Sequence, residues 1–188
     1  MTYDWKNYGS LEKFDKLNVH KDIADWLYLE YSLKDKRILD LGGGTGIQLS
    51  YMDDSNYLLN IDSSLEAVLY GNEKHIDVDN MCLDISTQKI PVCRNFFDFV
   101  FSIQTLEHIN EYSIDFVLSE INRVLRPGGH FFLSVAVQDN IEDKSHVNLR
   151  NRAWWLKKIE KYFIEEKREK REYDWQYFFL KKTNTTDN

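Results

Sequence analysis

The sequence predicts an α/β protein built on a mostly parallel sheet, and three observations predict it. Short apolar runs alternate with segments whose apolar residues recur every three or four positions, the rhythm of strands alternating with helices. The first of these runs ends in four glycines among five residues, at Gly42, Gly43, Gly44 and Gly46. The length, 188 residues, suits one domain with a sizeable core. Residues 1–35 are expected to form a helical cap, 36–182 the core and 183–188 a disordered tail.

From Ser10 to about Leu33, Leu11, Phe14, Leu17, Ile23, Trp26, Leu27 and Leu29 recur at helical intervals, with Ser10 placed to cap. Arg37-Ile38-Leu39-Asp40-Leu41 is a buried strand running into the glycines, and a short helix after Gly46 would carry Ile47, Leu49 and Tyr51. Tyr57 to Ile61 is a second strand, and Ser63 or Ser64 can cap a helix through Leu65, Val68 and Leu69 that stops at Gly71. Ile76 to Leu83 is a weaker strand and Phe97 to Ile103 a strong one. A helix over about Ser113 to Leu125 is expected to stop at Pro127-Gly128-Gly129. His130 to Val137 is the next strand and Arg152 to about Tyr162 the next helix. Two β-prone stretches follow, Tyr162 to Ile164 and Tyr173 to Leu180. Such alternation gives helices on both faces of the sheet.

Composition excludes several function classes. The net charge of −7 argues against a surface that neutralises many phosphates, so nucleic acid is not expected as a partner. The two cysteines, Cys82 and Cys93, stand too far from any histidine pair to make a zinc site, so no metal is expected. No stretch approaches the roughly eighteen apolar residues of a membrane span, and the start, Met1-Thr2-Tyr3-Asp4-Trp5-Lys6, has no apolar run behind a basic one. A cytoplasmic protein without membrane partners is the expectation. The charged stretch from Lys157 to Arg171 mixes both signs and reads as a solvated face.

In a parallel α/β sheet, ligands bind beyond the carboxyl ends of the strands, and glycines there let a ligand lie against bare main chain. The dinucleotide fingerprint Gly-x-Gly-x-x-Gly fails here, because Ile47 stands where the third glycine belongs, and the lysine of a phosphate loop is absent. What remains is Gly-x-Gly-x-Gly behind Asp40. Ile38-Leu39-Asp40-Leu41-Gly42-Gly43-Gly44-Thr45-Gly46 resembles the first motif of the class I S-adenosylmethionine-dependent methyltransferases. Later stations resemble that family in order: Asn60-Ile61-Asp62, Cys82-Leu83-Asp84-Ile85, Phe97-Asp98-Phe99-Val100-Phe101-Ser102 and Leu125-Arg126-Pro127-Gly128-Gly129. The resemblance is strong over about 36–137 and implies a Rossmann-like, doubly wound sheet, mostly parallel with one antiparallel strand near the C-terminus.

The resemblance also implies roles. Asp62, 22 residues after Asp40, would accept from the ribose hydroxyls, with Ser63 beside it; an Asx-type turn is the alternative reading of the same aspartate. Asp84 would accept from the adenine amine and Ile85 donate its backbone N–H, with Leu65 or Ile61 against the ring. Asp40 would act through the loop and the cofactor's amino group, while Ser102, Ile103 and Gln104 would lie along the methionine moiety. Methyl transfer is an in-line displacement in which alignment supplies much of the rate, so an amine acceptor needs no base. A hydroxyl acceptor needs one, and the candidates are His108 and His146.

The segment from His146 through Trp154-Trp155 resembles part of bacterial methyltransferases of surface-sugar and glycan assembly, and implies a small-molecule or sugar-like acceptor. The two tryptophans are expected to pack. Tyr3, Trp5 and Tyr8 are placed where related enzymes often carry a lid, with a frayed terminus as the alternative reading, and residues 138–151 are expected to hang over the methyl site. Only about nine residues separate Ile164 from Tyr173, too few for an extra cap. The acceptor site should then be open, or completed by a second copy in a homodimer. No Asn-Pro-Pro-Tyr-like motif follows Ser102, which lowers nucleic-acid bases as substrates. A non-catalytic cofactor-binding module and another nucleotide-binding α/β enzyme are the competing readings.

Overall fold

Ser10 does cap the first helix: its hydroxyl accepts from the Lys13 amide at 3.2 Å and starts α1 (Leu11–Asp15). α2 (Asn18–Tyr31) turns His20, Ala24 and Leu27 inward at steps of four and three, while Leu29 is exposed. The computed structural model describes residues 10–136, 145–167 and 175–183. They fall into two compact units, one within Met1–Asp84 and the other within Ile85–Asn188.

In the first unit β1 (Arg37–Leu41) is buried over Ile38, Leu39 and Leu41, the continuous apolar run of a strand covered on both faces. It pairs in parallel with β2 (Tyr57–Asp62), which pairs in parallel with β3 (Asp79–Cys82). This register sets Asp40 opposite Asn60 and Asn60 opposite Asn80. α3 (Ile47–Ser50) follows the glycine turn and is shorter than expected, with Tyr51 as its exposed C-cap. Ser64, the second of the two serines proposed as caps, starts α4 (Leu65–Lys74) by accepting from the Ala67 amide. The helix does not stop at Gly71. That glycine lies inside α4 because a Cβ there would fall 2.2 Å from the Thr45 carbonyl oxygen, so its absence of side chain serves packing rather than termination.

In the second unit β4 (Phe97–Ile103) pairs in parallel with β5 (Leu125–Ala136), and α5 (Ile114–Val124) joins them with Ile114, Val117, Leu118, Ile121 and Val124 buried. Pro127-Gly128-Gly129 does not separate helix from strand, as the sequence had implied. β5 begins at Leu125 opposite Phe97 and resumes at His130 opposite Phe99, so residues 126–129 bulge out of the strand. Pro127 has no N–H for the ladder and Gly128 has φ of 71°, while Arg126 Nε fastens the bulge to Asp98 Oδ1 at 2.6 Å. α6 (Arg152–Ile159), capped by Asn151, ends before Tyr162. β7 (Trp175–Lys182) runs antiparallel to both β5 and β6 (Phe163–Lys167), giving the order β4-β5-β7-β6 and the single reversed strand expected. Phe99, Phe101, Phe131, Phe132, Trp155, Phe178 and Phe179 fill this core. Among the described residues no helix is long and apolar enough to cross a membrane.

Candidate functional site

The glycine turn leaves β1 at Gly42, whose amide donates to the Ile61 carbonyl at 2.7 Å. Gly42, Gly44 and Gly46 all have left-handed backbone, with φ of 82°, 61° and 79°. Gly43 is required for a different reason. A Cβ on it would fall 2.2 Å from Asp40 Oδ2 and 2.6 Å from Asn60 Oδ1. Both oxygens are buried and accept no hydrogen bond among the described residues. Two neighbouring acceptors without a donor suit an ammonium group or a water as the missing partner. Burial, and then the negative charge of Asp62, pushes the Asp40 carboxyl well above the ordinary carboxylate value.

Asp62 closes the other side of the turn. Its Oδ2 accepts from the Gly44 amide at 2.9 Å and its Oδ1 from the Ser64 amide at 2.8 Å. The second contact is the Asx-type turn that was the alternative reading; here one carboxylate makes that turn and also grips the loop. Each oxygen can accept more than one hydrogen bond, so these amides leave capacity for hydroxyls. Burial raises the Asp62 carboxyl, and the Ser64, Gly44 and Ser63 amides offset part of that rise. Asn60 donates through Nδ2 to the Gly44 carbonyl at 2.9 Å and to Asn80 Oδ1 at 2.8 Å, which locks the turn onto β2 and β3.

Ser63 is exposed, and Asp84 and Ile85 are half-buried just beyond the end of β3, where the Leu83 amide donates to the Asp62 carbonyl at 2.9 Å. Ile61 is buried inside β2. Of the two apolar residues proposed against adenine, Leu65, 58% exposed, is the one open to a ligand.

In the second unit Ser102 is buried within β4, whereas Ile103 and Gln104 at the strand end are half-buried. Gln104 has φ of 53° and is held at both ends by Ser134, its amide on the Ser134 carbonyl and its Nε2 on the hydroxyl, each at 2.9 Å. A non-glycine residue in that region marks a backbone whose position matters. A 3₁₀ turn, Leu106–His108, follows. Glu107, fully buried, accepts the Ala136 amide through Oε1 at 2.9 Å, and its carbonyl accepts the Val147 and Asn148 amides. Those bonds bring the two candidate histidines together: the His108 and His146 rings are 4.7 Å apart between centroids. His108 Nδ1 lies 3.2 Å from the Ser145 carbonyl and 3.0 Å from its hydroxyl. Nδ1 donates to that carbonyl when it carries the proton, leaving Nε2 as the acceptor nitrogen, and accepts from the hydroxyl when it does not.

Trp155 is fully buried, as packing required, and Trp154 is half-buried with Lys158 over its ring. Tyr3, Trp5 and Tyr8, and residues 138–144 of the expected overhanging loop, lie outside the described residues. Sequence reasoning missed the side-chain roles of Asn60 and Asn80 and the reason for Gly71. The signal was present, since asparagine is disfavoured in strands and two of them in short strands point to a requirement other than propensity.

A glycine turn over a buried aspartate, a second aspartate at the end of β2 and the strand stations in order agree with the family match. Residues 39–133 match the family described as the methyltransferase domain. The chain belongs to that family. S-adenosylmethionine is its cofactor, and the acceptor pair under Gly43 and the carboxylate of Asp62 fit that molecule's ammonium and ribose hydroxyls. This methyltransferase domain is 30% identical over 134 residues to a sterol 4-C-methyltransferase of Caenorhabditis elegans, covering 69% of this chain and 39% of that protein. It is 26% identical over 104 residues to phosphoethanolamine N-methyltransferase 1 of Triticum aestivum, covering 52% of this chain and 21% of that one. The chain therefore spans well under half the length of either relative. A crystal structure of a SAM dependent methyltransferase from Aquifex aeolicus superposes with a TM-score of 0.77 at 19% identity, over 97% of this chain and all of that one. That likeness is one of fold, the Rossmann-like α/β architecture predicted.

Proposed function

We propose that this chain transfers a methyl group from S-adenosylmethionine to an oxygen or nitrogen of a small-molecule or sugar-type acceptor, in the cytoplasm. The observation that carries the reading is the glycine turn, with two buried acceptor oxygens under Gly43 and the Asp62 carboxylate at its side. The bound cofactor supplies an already activated methyl group on a sulfonium. Asp40 and Asn60 provide acceptors at the turn, Asp62 and Ser63 meet the ribose, and Asp84, the Ile85 amide and Leu65 border the adenine. Ser102, Ile103 and Gln104 line the methionine part, Ser102 through its main chain since its side chain is buried. His108 or His146 accepts the proton of a hydroxyl acceptor, and an amine acceptor leaves both idle.

The relatives' names support a small acceptor but disagree on the atom, carbon in one and nitrogen in the other. The net charge of −7 supports an acceptor other than nucleic acid. An acceptor side that is open, or completed by a second copy in a homodimer, accords with the short span between Ile164 and Tyr173. The test is an acceptor series of alcohols, amines, sugars and sterols, followed by formation of S-adenosylhomocysteine, with Asp62→Ala as the control that loses cofactor. Turnover with a hydroxyl or amine supports the proposal. Cofactor binding without turnover across the series would instead make the chain a regulatory module.

A further inference from the structure

We infer that Asp15, at the end of the helix ahead of the sheet, is a positioning residue for the cofactor turn, acting through Thr45. The inference rests on the cofactor reading above and concerns what sets the affinity of that site.

The turn from Gly42 to Gly46 contains one residue with a side chain, Thr45. Glycines have the most backbone freedom to lose, so a turn made of them holds one shape only if its neighbours fix it. Gly44 is fixed by Asp62 and Asn60, as described. Thr45 is the handle on the other half. It is fully buried, its Oγ1 donates to Asp15 Oδ1 at 2.6 Å, and its carbonyl presses against α4 where Gly71 makes room. The opposite oxygen of the same carboxylate, Asp15 Oδ2, lies 2.8 Å from His75 Nε2, with both side chains only 11% exposed.

α4 is thereby tied to the turn at both ends, through Asp62 at its start and through His75, its C-cap, at its finish. A hydroxyl donating to a carboxylate is among the stronger hydrogen bonds. α1 is five residues long and buries only Leu11. If Asp15 served merely to dock that helix, an apolar side chain would do so without desolvating a carboxylate. The carboxylate's two bonds run instead to the cofactor turn and to the end of the helix that follows Asp62.

The experiment uses the full chain and two measurements. The first is amide hydrogen exchange over the peptide containing Gly42–Gly46, without cofactor. The second is titration with S-adenosylhomocysteine by calorimetry. Thr45→Val and Asp15→Ala should each speed exchange in that peptide by about tenfold and weaken binding by a similar factor, since binding is diluted by the fraction of competent turn. The double variant should be no worse than the worse single one, because both remove the same Thr45–Asp15 bond. Thr45→Ser keeps the hydroxyl and should match the parent, and His75→Gln should fall between. Unchanged exchange in the turn, accompanied only by a lower melting temperature, would overturn the inference, as would losses that add in the double variant. If either strong variant fails to fold, Thr45→Ser and His75→Gln still decide it: equal exchange in the two argues against the brace. Should the parent bind no S-adenosylhomocysteine, the cofactor reading fails while the exchange measurement still decides the role of Asp15.

Discussion

The two units solve the placement of functional groups in opposite ways. In the first, glycines and short polar side chains hold a turn from all sides: Asp62 and Asn60 grip Gly44, Asp15 grips Thr45, and Asn80 backs Asn60. In the second, the core is aromatic, and main-chain groups hold the segments that carry His108 and His146, the Glu107 carbonyl accepting the Val147 and Asn148 amides and the Ser145 carbonyl lying on His108. A tightly specified turn suits a ligand whose shape does not vary, which is the case for the cofactor. On the proposed reading the histidines, carried on segments fixed through main-chain bonds, serve the acceptor, and the turn serves the cofactor.

The largest effect that would sharpen this contrast is in the histidines. His146→Ala or His108→Ala should lower kcat on a hydroxyl acceptor by on the order of 10²–10⁴ if that ring is the base, with cofactor Kd unchanged and an amine acceptor little affected. A loss of cofactor affinity in these variants would erase the distinction. Asp62→Ala should weaken S-adenosylmethionine binding by about a hundredfold, since hydrogen bonds to a charged group are lost together with the grip on Gly44. Equilibrium dialysis reads this directly, and undiminished binding would remove Asp62 from the site.

Gly71→Ala should destabilise the fold by about 1–3 kcal/mol, because the Thr45 carbonyl has to move. Urea unfolding with an unchanged slope would report it. The smallest effect concerns protons. Burial holds the Asp40 and Asp62 carboxyls above their ordinary value of 3.8. The folded chain thus keeps these protons longer than the unfolded chain, and their contribution to stability, full below 3.8, declines as pH rises through the raised values. A cationic ligand favours the carboxylates, so in mildly acidic buffer its binding should release a fraction of a proton. Calorimetry in buffers of different ionisation heat measures it, and net uptake would contradict the assignment.

Much of the fold was legible because its signals are local. The apolar run Ile38 to Leu41, the caps at Ser10 and Ser64 and the glycine cluster each lie within a few residues of what they specify. The errors also have local causes. Gly71 looked like a helix stop and Pro127-Gly128-Gly129 like a turn, because a glycine that makes room for a neighbour and one that ends an element look the same in sequence. Leu65 and Ile61 could not be told apart until burial showed which one faces outward.

The sequence by itself determined the order of strands and helices, the glycine turn with Asp40 beneath it, the methyltransferase family and hence the cofactor. Periodicity, turn chemistry and motif spacing are properties of neighbours along the chain. Only the tertiary structure decided that Asn60 meets Asn80, that Thr45 meets Asp15, that His75 meets the same carboxylate, and that His108 lies against His146. These partners are 20, 30, 60 and 38 residues apart in the numbering. Asn60 and Asn80, and His108 and His146, meet because parallel strands joined by crossovers return the chain beside itself. Asp15 meets Thr45 and His75 where the end of α1 reaches the turn and the end of α4, and nothing in either partner's own neighbourhood encodes the other.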